Sequence, residues 1–102
     1  MTSLKRKIES EKIVEKYLRD EVARLGGFHR KVIYQGRDGS PDDWCFFDGG
    51  LLLIIECKTT GEKPMDNQTR EMNRLMLKGQ KVYVVDSKTS VDEVLAQVPR
   101  IK

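Results

Sequence analysis

Between residues 10 and 25 the apolar positions recur every three or four residues. Val14, Leu18, Val22 and Leu25 make one stripe, which predicts a helix. Ser10 or Thr2 is its candidate cap, and Gly26-Gly27 ends it, because glycine tolerates the left-handed C-cap geometry. The period then changes. Short apolar runs predict strands over 31–35 (KVIYQ), 43–47 (DWCFF) and 51–59 (LLLIIECKT), separated by the loop GRDGS, 36–40, and the turn DGG, 48–50. The unbroken apolar run of the third strand predicts cover on both faces. Asp66 is expected to cap a helix over 67–78 in which Met72, Leu75 and Met76 share a face and Gly79 is the stop. KVYVVD, 81–86, reads as a fourth strand. SVDE, 90–93, reads as a capping box opening a last helix with Val94, Leu95 and Val98, closed by Pro99.

The order is helix, three-strand meander, helix, strand, helix. The hairpins imply antiparallel pairing, and a strand reached through a helix implies a parallel crossover. The expected fold is α/β, a mixed β-sheet with flanking helices, in a single domain over 1–102.

Composition changes this picture little. Hydrophobic residues make up 38% and charged residues 34%, as in a highly charged globule and not a disordered chain. No apolar run approaches a membrane span. The start, MTSLKRKIES, lacks the apolar region of a secretory signal, so a cytoplasmic location is expected, with Cys45 and Cys57 as reduced, buried thiols. Net charge is only +3, but its distribution is uneven. Residues 1–31 carry nine Lys/Arg against five Asp/Glu, residues 32–59 two against five, and residues 60–102 eight against six. An acidic centre lies between basic ends. This is either ordinary solvated surface or a cation site flanked by a polyanion-binding surface.

The chemistry concentrates where the third strand ends, at Glu56-Cys57-Lys58. Glu56 and Lys58 share one face, with Cα atoms roughly 6.6 Å apart. Alone, the pair reads as an ion pair at a sheet end. Asp42 alters that reading. It opens the neighbouring strand, five to six residues from the turn, as is the 56–58 end, so the two carboxylates meet at one end of the hairpin. Two such carboxylates repel unless one keeps a proton or a cation sits between them. Hard oxygen ligands suit Mg²⁺ or Mn²⁺, which leaves positions for water and phosphate oxygens. Lys58 could then orient or deprotonate a water, or neutralise charge on a phosphate. The set points to metal-assisted phosphodiester hydrolysis.

SPDDW followed by IIECK resembles the PD-(D/E)xK nuclease superfamily. GRDGSPDDW, ECKTTGEKP, Gln68 and LMLKGQKVYVVDS resemble its VRR-NUC group, the virus-type replication–repair nucleases, over most of residues 10–95. The resemblance implies a restriction-endonuclease-like core. It implies Asp42 and Glu56 as metal ligands with the carbonyl of Cys57, Lys58 as the catalytic lysine, and Gln68 as a group positioning Lys58, a water or a phosphate. It also implies a glutamate on the first helix. With Val14 at zero on a wheel, Glu11 falls near about 60° and Glu15 near about 100°, which favours Glu11 and keeps Glu15 second. Asp43, by alternation, is expected to face away, and Trp44, where the sequence departs from the family pattern, to be packing only. The implied partners are DNA, branched as in Holliday junctions or flaps, and a second copy of the chain. A catalytically silent DNA-binding subunit is the alternative; it would usually have lost one of Asp42, Glu56, Lys58 and Gln68, and all are present. An RNA-binding module has no support from aromatic platforms. His29 reads as a surface or strand-edge residue, Trp44, Phe46 and Phe47 as core. Lys5, Arg6 and Lys7 either grip a phosphate backbone or fray in solvent.

Overall fold

The computed structural model describes residues 7–100, so Thr2, Lys5 and Arg6 lie outside the described residues. The elements run α1 (Glu11–Arg24), β1 (Phe28–Lys31), β2 (Asp43–Phe46), β3 (Leu52–Cys57), α2 (Asp66–Leu77), β4 (Lys81–Val85) and α3 (Lys88–Leu95). They form one four-stranded sheet in the order β1-β2-β3-β4. The first two pairings are antiparallel and β3–β4 is parallel, as the connections imply.

The two-residue period of the strands sorts their side chains into two cores. Cys45, Leu53, Ile55 and Cys57 join Val14, Leu18 and Val22 of α1 and Val91 and Leu95 of α3. Ile54 joins Met72 of α2, with Trp44, Leu52 and Leu75 partly buried beside it. Covered in this way on both faces, β3 is buried from Leu53 through Cys57, which explains its unbroken apolar run. Cys45 and Cys57 are free and buried.

Four local expectations need correction. The first strand is Phe28–Lys31 and not 31–35. FHRK lacks a strong apolar alternation, but Phe28 stacks on Phe46 at 5.0 Å and the ladder pairs Phe28 with Phe46 through Lys31 with Asp43. Ile33, inside the expected strand, is 85% exposed. Asp66 is the first residue of α2 and not its cap. The N-cap is Met65, and Gln68, inside the first turn, supports it by accepting the Met65 N–H at 2.9 Å. Ser90 does not open α3: Ser87 caps it and accepts the Ser90 N–H at 3.0 Å, with Val91 as the fully buried anchor. Met76 turns out to solvent, 47% exposed. Ser10 does cap α1, accepting the Ile13 N–H at 3.2 Å.

The β2–β3 connection is a tight 3₁₀ turn, Asp48–Gly50, with Gly49 and Gly50 at positive φ. The long β1–β2 loop is pinned onto α2. Tyr34 donates to buried Glu71 at 2.9 Å, and Arg37 lies 3.5 Å from the same carboxylate. The Trp44 indole donates to the Pro41 carbonyl at 2.8 Å, so Trp44 both packs and holds the loop end. Gly39, at φ +88, passes so close to α2 that a Cβ would lie 2.8 Å from the Asn67 carbonyl oxygen. One prediction follows from that contact. Gly39→Ala should destabilise the protein by about 1–3 kcal/mol in urea unfolding. Gly36→Ala, at φ +75 but in open space, should cost clearly less. Equal losses would mean that the approach to α2 carries no weight.

Candidate active site at the end of the β2–β3 hairpin

The register Asp43↔Ile55, continued by one residue, sets Asp42 against Glu56. Glu56 lies on the α2 face, where β3 runs out of apolar cover, and is only 6% exposed. The Lys58 ammonium lies 3.5 Å from it, and the Gln68 amide donates to it at 3.3 Å. One Gln68 side chain therefore ties the start of α2 to Glu56 while supporting the N-cap of the helix. Lys58 is itself buried and anchored through its N–H to the Val85 carbonyl. Thr59 and Thr60 then stitch the β3 exit to the start of α1: their hydroxyls accept the N–H groups of Glu11 and Glu9.

A second group lies on the α1 side of the same strand end. Glu15, Asp42 and Asp43 each offer an oxygen, all within 4.8 Å of one another. Lys31, at the end of β1, bonds to Glu15 and, at 2.9 Å, to Asp42, and lies 3.7 Å from Asp43. Asp42 thus reaches round the strand end and adjoins both groups. Its charge, like that of Glu11, acts on Glu56.

Asp43 does point to the face opposite Glu56, but it does not leave the centre. It is fully buried, and His29 approaches its Oδ1 at 2.6 Å. His29 is a strand-edge residue, as expected, since β1 is the edge strand, but it is not a surface one: the imidazole turns inward. The other oxygen, Oδ2, is buried without a hydrogen-bond partner among the described residues. A direct Glu15–Asp43 bond exists only while one carboxyl keeps a proton, since two carboxylates offer no donor. Glu15 is half-buried and Glu11 exposed, the reverse of their order on the helical wheel. The reason is Lys31, which draws Glu15 inward from a strand that the wheel does not see. Glu11 stands nearer to Glu56, Glu15 to Asp42 and Asp43.

The electrostatics follow from this crowding. Burial, then the neighbouring Glu15 and Asp42, push Asp43 up to about 8. Burial, opposed by Lys58 and assisted by Asp42 and Glu11, pushes Glu56 up to about 7. Burial raises Glu15 most, but its bonds to Lys31 and Asp43 and the charges of Lys31 and Arg19 together outweigh this and hold its carboxyl below the usual range. Burial lowers His29, which favours the neutral ring beside Asp43. Hard oxygens close together, one of them buried without a partner, fit a divalent cation. Sequence reasoning missed His29 and Lys31, whose only signal was a charged strand, HRK, too short to show a period; it set Asp43 on the face opposite Glu56, as found, but not within the centre.

Comparison with known proteins places the chain among nuclease-type domains. No family model matches the sequence. "Putative nuclease p44" of Acyrthosiphon pisum secondary endosymbiont phage 1 is 42% identical over 74 residues, which span 72% of this chain and 80% of that protein. A solved structure described as "VRR_NUC domain" is similar with a TM-score of 0.81 at 32% identity, covering 89% of this chain and 100% of that one.

The raised carboxyls make a prediction about stability without metal. Folded values near 8 and 7 exceed the unfolded values of about 4, so between them the native state holds more protons. Stability is then fully present at low pH and falls as pH rises through the folded values. His29, lowered by burial, opposes the trend only where the unfolded imidazole still titrates, and adds little above about pH 7.5. Metal-free protein should lose on the order of 2 kcal/mol between about pH 6.5 and 8.5 in urea unfolding. Asp43→Asn should flatten the slope. A midpoint that rises over this window would show that these carboxyls ionise without strain.

Proposed function

The chain belongs to the VRR-NUC family of nucleases, and from that premise we propose that it is a Mg²⁺- or Mn²⁺-dependent endonuclease hydrolysing DNA phosphodiester bonds. The observation that carries this reading is the convergence of Asp42, Glu56, Lys58 and Gln68 on one hairpin end. Asp42, Glu56 and the carbonyl of Cys57 would hold the cation, with a first-helix glutamate, Glu11 or Glu15, beside them. When bound, the cation would polarise the phosphate and lower the pKa of a bound water.

The rest of the chemistry belongs to the chain's own residues. Glu56 is held by Lys58 and Gln68, so it does not need to reorient to meet a ligand. Lys58, with a stem fixed in the sheet, can take a proton from a water or balance charge on the phosphate oxygens. Gln68 has both amide ends in use, one on the α2 backbone and one on Glu56, and acts as a positioning residue. Basic residues on either side of the acidic centre would grip the backbone, so DNA binding should weaken steeply with salt.

Incubation with linear, flap and four-way DNA, with and without Mn²⁺, tests the activity and its preference for branched substrates. Asp42→Asn and Glu56→Gln should each weaken Mn²⁺ binding in calorimetry and abolish cleavage with the fold intact. Lys58→Ala should lower the single-turnover rate by about 10²-fold or more while DNA affinity changes little. If affinity collapses and the rate on bound DNA is unchanged, Lys58 is a phosphate anchor. A folded wild type that binds branched DNA but never cuts it would favour the silent-subunit reading.

We further propose a homodimer working in the cytoplasm of a bacterial or phage-infected cell. One domain of this size carries one acidic centre, and paired cuts across a four-way junction need two, which a two-fold dimer supplies. Among the described residues no helix is long and apolar enough to cross a membrane. Analytical ultracentrifugation should give a dimer at assay concentration. Mixtures with the Glu56→Gln protein should nick one strand and leave the opposing cut delayed. A monomer making paired, symmetrical cuts would overturn the dimer and leave the nuclease reading intact.

A further inference from the structure

Lys31 holds an unusual position for a lysine at the end of an edge strand. Its ammonium bonds to Glu15 and Asp42 and lies 3.7 Å from Asp43, so it faces all three carboxyls of the α1-side cluster at once. A lone ion pair at a surface would carry no functional meaning. Here, however, one of the three carboxyls is fully buried and keeps an oxygen, Oδ2, with no hydrogen-bond donor on it among the described residues while both it and Glu15 are ionised. The ammonium, as placed, bonds to the other two carboxyls. The same Lys31 side chain is 47% exposed, against 0% for Asp43. It is the member of the cluster that can leave at little cost. Lys31 is the last residue of β1, where the chain enters the loop, and its neighbour Val32 keeps its own N–H on the Asp42 carbonyl. The stem can therefore swing outward without breaking the backbone that carries Asp42.

We propose that Lys31 is the built-in counter-ion of the acidic centre, occupying it in the metal-free protein and displaced when a divalent cation binds. This rests on the metal-dependent reading above. The physical basis is exclusion. A Mg²⁺ or Mn²⁺ ion takes a carboxylate oxygen at about 2.1 Å, and an ammonium about 2.9 Å from that oxygen cannot stay beside it without strong like-charge repulsion. The ion brings twice the charge of the ammonium in a smaller radius to Asp42, the carboxylate that both groups share and that Lys31 bonds. The ammonium keeps these carboxyls from repelling one another while the site waits, and metal affinity is lowered by the ion pairs that must break. His29 differs in this respect: it meets Asp43 from within, is nearly buried, and holds the carboxyl in place instead of filling the site.

The test uses Mn²⁺ alone, without DNA, so that no reaction can run. Lysine acylation read by mass spectrometry should show Lys31 shielded in the metal-free protein and about threefold or more reactive at saturating Mn²⁺, with Lys16, in an exposed pair on α1, unchanged. Calorimetry should give Lys31→Met about fivefold tighter Mn²⁺ binding than wild type. Lys31→Arg, which keeps the charge, should bind no tighter than wild type. Should Lys31→Met fail to fold, the wild-type labelling decides alone. Mn²⁺ binding with Lys31 labelling unchanged would overturn the exchange and leave the metal site standing. Absence of Mn²⁺ binding in every variant would remove the metal site, and the exchange with it.

Discussion

The register of β2 on β3 is the constraint from which the rest of this molecule follows. Asp43 pairs with Ile55, so Asp42 meets Glu56 at the point where the hairpin leaves its apolar cover. A slip of one residue would turn one strand over against the other, moving either Cys45 of β2 or Leu53 and Ile55 of β3 out of the core against α1. The register is therefore held by the whole core and not by the polar residues that depend on it. Core packing thus specifies a meeting of carboxyls that electrostatics alone would drive apart.

That opposition explains the polar bonding around the site. Glu56 is contacted by Lys58 and Gln68, Asp42 and Glu15 by Lys31, and Asp43 by His29. The contacts come from three elements: Lys58 from the β3 exit, Gln68 from α2, and Lys31 and His29 from β1. The long loop before Asp42 is tied to α2 by Tyr34 and Arg37 on Glu71 and by the close passage of Gly39. Asp42 and Gln68 are consequently located relative to one another by backbone contact as well as by side chains. A site assembled from so many elements holds its geometry only while all of them are packed.

What could be read in the sequence divides along the same line. The element order, the mixed sheet and the doubly covered β3 were legible because they rest on apolar periodicity, which α1 and β3 display plainly. The meeting of Asp42 with the 56–58 end was legible from the turn and the strand lengths. The first strand was not, because FHRK is held by an aromatic stack and a ladder, and neither leaves a hydrophobic period. The caps of α2 and α3 were misplaced by three residues or fewer, since a side chain that supports a cap can sit inside the helix, as Gln68 does. Misplacing β1 hid the other half of the site. With the strand set at 31–35, His29 fell outside it, and the shared face of His29 and Lys31 could not be seen.

The unread part of the chain is thus the part that departs from local rules for an electrostatic reason. An edge strand with His, Arg and Lys in succession gains little from burial. It is retained because two of those side chains reach into an acidic centre, one to fix a buried carboxyl and one to offset its neighbours. Residues that look unfavourable by periodicity and sit beside strained charges are where a fold gives up stability for a site. In this domain that trade falls on β1, the strand with least core to lose. The hairpin that carries Asp42 and Glu56 keeps its full packing, so strain at the carboxyls is absorbed without loosening the register that brings them together.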